Sequence, residues 1–63
     1  MSFSDKMKYV RTKLFLSQEM LARELGVSFA TISRLEQNHN EPSLSTRRNF
    51  AIFCEKKGIK FEE

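Results

Sequence analysis

Two short segments on either side of Gly26 constrain this fold more than any other feature. Met20, Leu21, Ala22 and Leu25 precede the glycine, Ile32 and Leu35 follow it, and both sets fall at helical spacing. A helix of about two turns cannot bury a core of its own. The two must therefore cross steeply and share one. Ala22 belongs where they approach, because a larger side chain would push them apart. Gly26 turns the corner, since the left-handed position after a helix favours glycine. Ser17 and Ser28 are the N-cap candidates. Ile32 and Leu35 pin the second segment on the first, which leaves Phe29, Ala30, Ser33 and Arg34 facing outward.

The rest of the chain supplies the partners for this pair. Phe3, Met7, Val10 and Leu14 form one stripe of a helix over residues 3–14, capped by Ser2 with Asp5 three residues on. A third helix spans 29–36. Residues 37–43 are polar and rich in breakers, so they form a loop in which Asn38 can hold positive φ. Ser45 or Ser43 caps a fourth helix running to Lys57, with Phe50, Ala51 and Cys54 as its apolar face and Phe53 beside it. Gly58 ends it. The tail Ile59-Lys60-Phe61-Glu62-Glu63 alternates apolar and polar residues, as a short strand or as a tail pinned by two anchors. The expected class is all-α, a compact bundle of four to five helices with a short C-terminal strand left open.

Composition removes whole classes of function. At 63 residues the chain allows one domain, residues 1–63, and little room for a deep substrate cavity. A single cysteine and a single histidine exclude an internal disulfide and the usual zinc sites. No nucleophile–base pair, carboxylate pair or metal set is present, so neither an enzyme nor a cofactor is expected. Cys54 reads as a small core apolar group. No apolar run reaches the roughly 18 residues of a membrane span, and the start lacks the order of a signal peptide. A cytoplasmic protein is expected. The net charge of +3 points only weakly to nucleic acid.

The outward face around Phe29, Ala30, Ser33 and Arg34 is more telling. It is short, built of small groups and nearly uncharged except for Arg34, and such a helix fits a major groove about 12 Å wide. A surface helix needing only solubility would carry Lys and Glu there. Arg34 reads as a guanine reader, a phosphate clamp or a solvated residue, and Phe29 as a groove contact or a packing contact to a partner. Arg47 and Arg48 either reach the DNA backbone from the start of the fourth helix or are solvated.

Residues 16–36, Leu-Ser-Gln-Glu-Met-Leu-Ala-Arg-Glu-Leu-Gly-Val-Ser-Phe-Ala-Thr-Ile-Ser-Arg-Leu-Glu, resemble the helix-turn-helix of the Cro/phage-repressor (Xre-type) family, and Pro42-Ser43-Leu44 matches its start of the next helix. The resemblance covers residues 3 to about 55. It implies a lambda-repressor-like bundle whose third helix enters the major groove. Ser28, Phe29, Ala30, Ser33 and Arg34 then match base-reading or groove-lining positions. Gln18, Thr31, Asn38, His39 and Asn40 match phosphate contacts, and Arg11 and Glu36 match a buried ion pair. Three departures stand out. Gln37-Asn38-His39 replaces the family's Asn-Gly-Lys, Arg47 occupies a usually apolar position, and a fifth helix is absent or reduced to the tail.

The function implied is sequence-specific binding of double-stranded DNA by a small transcriptional regulator, a repressor-like homodimer on a palindromic operator. One alternative is an antitoxin or restriction-modification controller that also binds a protein partner. Another is a protein-interaction adapter without DNA binding. Phe53, Ile59 and Phe61 are more apolar surface than a small monomer should expose, so the tail either pairs with its twofold mate as an edge strand or folds back to cap the core.

Overall fold

The computed structural model describes residues 2–38 and 41–61, which form four helices: α1 Phe3–Leu14, α2 Gln18–Leu25, α3 Phe29–Glu36 and α4 Leu44–Lys56. Each starts at a serine whose hydroxyl accepts the N–H of the third residue on. Ser2 takes that of Asp5, Ser17 of Met20, Ser28 of Thr31 and Ser43 of Thr46, at 3.1–3.2 Å. Each cap satisfies one of the N–H groups that a helix start leaves without a partner. Ser43, not Ser45, is the cap of α4.

The helix ends also share one device. Phe15, Gly26, Asn38 and Gly58 all have φ between 57° and 71°. After α1, α2 and α4 the backbone closes the same pair of bonds. At Gly26 its own N–H reaches the Arg23 carbonyl and Val27 N–H reaches that of Ala22. The same bonds recur at Phe15 with Leu16 and at Gly58 with Ile59. A Cβ at Gly26 would meet nothing within 4 Å, so glycine is required there by φ and not by space.

Met7 and Val10 of α1, Leu21, Ala22 and Leu25 of α2, Ile32 and Leu35 of α3, and Phe50, Phe53 and Cys54 of α4 form one core, joined by Ile59. The apolar face of α4 differs from the expectation. Ala51 is exposed, and Thr46, Phe50, Phe53 and Cys54 are buried. These lie at i, i+4, i+7 and i+8, whereas Ala51 is a further 100° around the helix from Phe50. Thr46 is tolerated inside because its Oγ1 accepts a hydrogen bond from Ser43 Oγ at 3.0 Å.

The tail is neither a strand nor a fifth helix among the described residues. The turn at Gly58 sends Ile59 back into the core, and Phe61 lies half-buried against Phe50 and Tyr9, with ring centroids 6.4 and 5.7 Å away. Phe53 and Ile59 are each 5% exposed, so they supply no free apolar surface for a partner. Among the described residues, no helix is long and apolar enough to cross a membrane.

Candidate nucleic-acid interface

With Ile32 and Leu35 turned into the core, α3 presents the face expected of it. Ser28, Phe29, Ala30 and Arg34 are exposed, while Thr31 and Ser33 are half-buried at its edges. Phe29 stands 52% exposed, with no ring contact among the described residues to explain it. Ser28 and Thr31 share a hydrogen bond of 2.9 Å between their hydroxyls, and Gln37 Nε2 donates to Ser33 Oγ at 3.3 Å. With its side chains an α-helix is about 10–12 Å across, and a major groove about 12 Å wide admits it.

The orientation of α3 is fixed from below by Glu36, which is 4% exposed. Arg11 donates from Nε to Oε2 at 2.5 Å and from Nη2 to Oε1 at 2.9 Å, and its Nη1 donates to the Leu16 carbonyl at 3.2 Å. The ion pair expected from the sequence is therefore present, and it binds the end of α3 to α1 and to the α1–α2 turn. Ser4 adds a bond the sequence did not signal, donating from Oγ to the Glu36 carbonyl at 2.6 Å. A lone serine in the first turn of a helix looks like a solvated residue, and only the packing shows that it is buried.

Gln18 sits at the start of α2 as expected for a phosphate contact, but one of its N–H groups is engaged. Nε2 donates to Glu36 Oε1 at 3.1 Å. The amide has a second N–H to offer, and the helix N-terminus behind it favours an anion. A further link missed in the sequence ties α4 to the end of α2, with Asn49 Nδ2 donating to the Leu25 carbonyl at 3.4 Å.

The remaining expected phosphate contacts are scattered around the start of α4. Asn38 is exposed at φ 62°. His39 and Asn40 lie outside the described residues. Arg48 is exposed beside Leu44, itself 83% exposed. Arg47 is engaged within the chain. Its Nη2 pairs with Glu41 at 3.3 Å and its guanidinium lies 5.9 Å from the centre of the Phe3 ring. Its usually apolar position is thus filled by an aromatic–cation contact at the edge of the core.

Cys54 belongs to the core and not to this face. Burial pushes its thiol up from the ordinary range, and the Lys6 ammonium draws it partly back. No group of three or more metal-ligating side chains occurs among the described residues.

Residues 7–51 match the family described as helix-turn-helix. An uncharacterised HTH-type transcriptional regulator of Methanocaldococcus jannaschii is 41% identical over 59 residues, which cover 94% of this chain and 85% of that protein. No solved structure gives a significant match. The capped pair α2–α3, the Gly26 corner and the Arg11–Glu36 brace all fall within the matched region, and the chain belongs to the helix-turn-helix family of the Cro/phage-repressor (Xre) type.

Proposed function

We propose that the protein is a transcriptional regulator that binds double-stranded DNA sequence-specifically through the exposed face of α3. The observation that carries this reading is the contrast on one helix. Its inner side is locked by Ile32, Leu35 and the braced Glu36, and its outer side shows small groups, one aromatic ring and one arginine to solvent. Arg34 is the candidate reader of guanine O6 and N7, and Phe29 and Ala30 are candidates for thymine-methyl contact. Gln18, at the start of α2, and Arg48, exposed on α4, are the candidate phosphate ligands that set the register.

One eight-residue helix makes few base contacts, so we assign binding to two copies on a palindromic site. The Cα extents of one copy are 26 × 23 × 20 Å, and half-sites one helical turn apart are about 34 Å centre to centre, so two copies fit side by side on one face of the duplex. Occlusion of a promoter is the mechanism such a complex supports, and the cytoplasm is its setting.

Selection of bound sites from random duplexes tests the reading. A two-fold symmetric consensus with half-sites about one turn apart is expected. Recovery of unselected sequence at every round would contradict it.

A further inference from the structure

The outward side of α4 carries a stripe that the fold does not use. Leu44, Arg48, Ala51, Ile52 and Glu55 fall at i, i+4, i+7, i+8 and i+11, and all five are exposed. They lie opposite Phe50, Phe53 and Cys54, which α4 turns into the core. Leu44 is 83% exposed and Ile52 47%. The charges on the stripe are ordered about its apolar middle. Arg48 comes three residues before Ala51, and Glu55 three residues after Ile52. Neither makes an ion pair or a side-chain hydrogen bond among the described residues. At 1.5 Å per residue they stand about 10 Å apart along the helix, too far to pair with each other.

We propose that this stripe binds a second copy of the chain, α4 against α4, antiparallel about a twofold axis midway between Ala51 and Ile52. The order of the charges carries the choice of partner. Such an axis exchanges positions 48 and 55, so Arg48 of each copy meets Glu55 of the other and two cross pairs close at once. Ala51 and Ile52 fill the centre, and Leu44 falls over the turn at Gly58 of the second copy. A parallel pairing sets Arg48 against Arg48 and Glu55 against Glu55, and is repelled.

The cations beside the stripe do not oppose this. Lys56 lies on the Ile52 flank, and the axis brings it to Ser45 and Asn49 of the second copy, which are neutral. Arg47 is turned 100° from Arg48 towards Phe3 and is held by Glu41. The match is one of position and not of net charge, so it does not draw on residues 39–40 or 62–63. This contact deepens the two-copy reading above by naming the surface, but it stands on α4 and not on the reading of DNA. A bidentate pair with Glu55 takes two of the five N–H groups of Arg48 and leaves three for a phosphate. The 13 residues of α4 run about 20 Å, so the contact is small and the dimer weak, micromolar or above.

Sedimentation equilibrium of the full chain without DNA, from about 10 μM to about 1 mM, tests the proposal. The expected result is a monomer–dimer equilibrium that weakens with salt. Arg48→Glu and Glu55→Arg should each weaken it about tenfold or more, since both cross pairs become like-charged. Lys8→Glu, the same change of charge at an exposed position of α1, should leave it unchanged. An equimolar mixture of the Arg48→Glu and Glu55→Arg chains should dimerise like the native protein, because each then meets its complement. Both positions are exposed, and thermal melting checks that the variants fold. A native chain that stays monomeric at about 1 mM, reversals that leave the dimer unchanged, or a mixture no tighter than its separate components would overturn the proposal. In the native chain, amide shifts that grow with concentration should centre on Ala51 and Ile52. Shifts at Phe3 and Phe61 instead would place the second copy between α1 and the tail, and would overturn it too. Site selection on DNA is scored separately, so failure here and failure of the DNA reading are told apart.

Discussion

Arg11 grips Glu36 with two N–H groups, at 2.5 and 2.9 Å, across 25 residues of chain, and the acid they hold is the last residue of α3. The carboxylate side chain is 5% exposed and the arginine 26%. Removing one partner of a buried pair leaves an uncompensated charge or orphaned donors. Because Arg11 keeps some solvent, the lower end of the usual cost applies, about 3 kcal/mol for Glu36→Ala. Thermal melting without DNA checks this. An unchanged melting temperature would show that the pair contributes nothing to the fold.

Phe15 is the one helix end held in the left-handed region by a bulky side chain, at φ 57°. The ring is 90% exposed, so burial does not offset the backbone cost. Phe15→Gly should therefore stabilise the protein by about 1 kcal/mol. For a domain of this size that raises the melting temperature by roughly 4–8 °C. A lower melting temperature would mean that the ring packs on the fold after all.

Ile59 tests where the tail belongs. Buried at 5% exposure on the core, it should cost about 2–5 kcal/mol when truncated to alanine. Had the tail acted as an edge strand between copies, Ile59→Ala would leave the melting of the monomer alone and change only its self-association.

Much of this was legible in the sequence because start and stop signals agreed with the apolar period. Ser17 before Leu21–Leu25 and Gly26 after it mark α2 without ambiguity, and Ser28 with Ile32 and Leu35 marks α3. What escaped was decided by packing between distant segments. Nearby positions on one helix, such as Ala51 and Phe53, are separated only by the angle at which α4 meets its neighbours. The alternation of Ile59 and Phe61 suits a strand as well as a folded-back tail, and Gly58 decides between them through a turn geometry that composition does not reveal. Gln18 reads as a phosphate ligand from its place at a helix start, but the nearness of Glu36 in space, 18 residues on, gives its amide a second task.

Cys54 gives a pH dependence of known sign. Its thiol is raised in the folded chain by burial, against the partial opposition of Lys6. Above the ordinary thiol range the unfolded chain gives up this proton while the folded chain retains it, so stability falls as pH rises through that range. Below it the contribution is fully present. Iodoacetamide should accordingly modify Cys54 far more slowly in the native protein than in denaturant at the same pH. Equal rates would mean that the thiol is accessible in the fold.

The central claim, that the exposed face of α3 reads base sequence, is tested most directly by one ratio. It is the affinity for a selected duplex over that for a scrambled one, measured for the native protein and for Arg34→Gln. Arg34→Gln is expected to lower this ratio by about 1–3 kcal/mol per half-site and to relax the preference at a single base position. Arg48→Gln should weaken both duplexes alike and flatten the slope of log K against log salt by about 0.9 for each phosphate it leaves without a cation. A ratio unchanged by Arg34→Gln, with both duplexes weakened equally, would contradict the reading of α3 as the sequence-reading element.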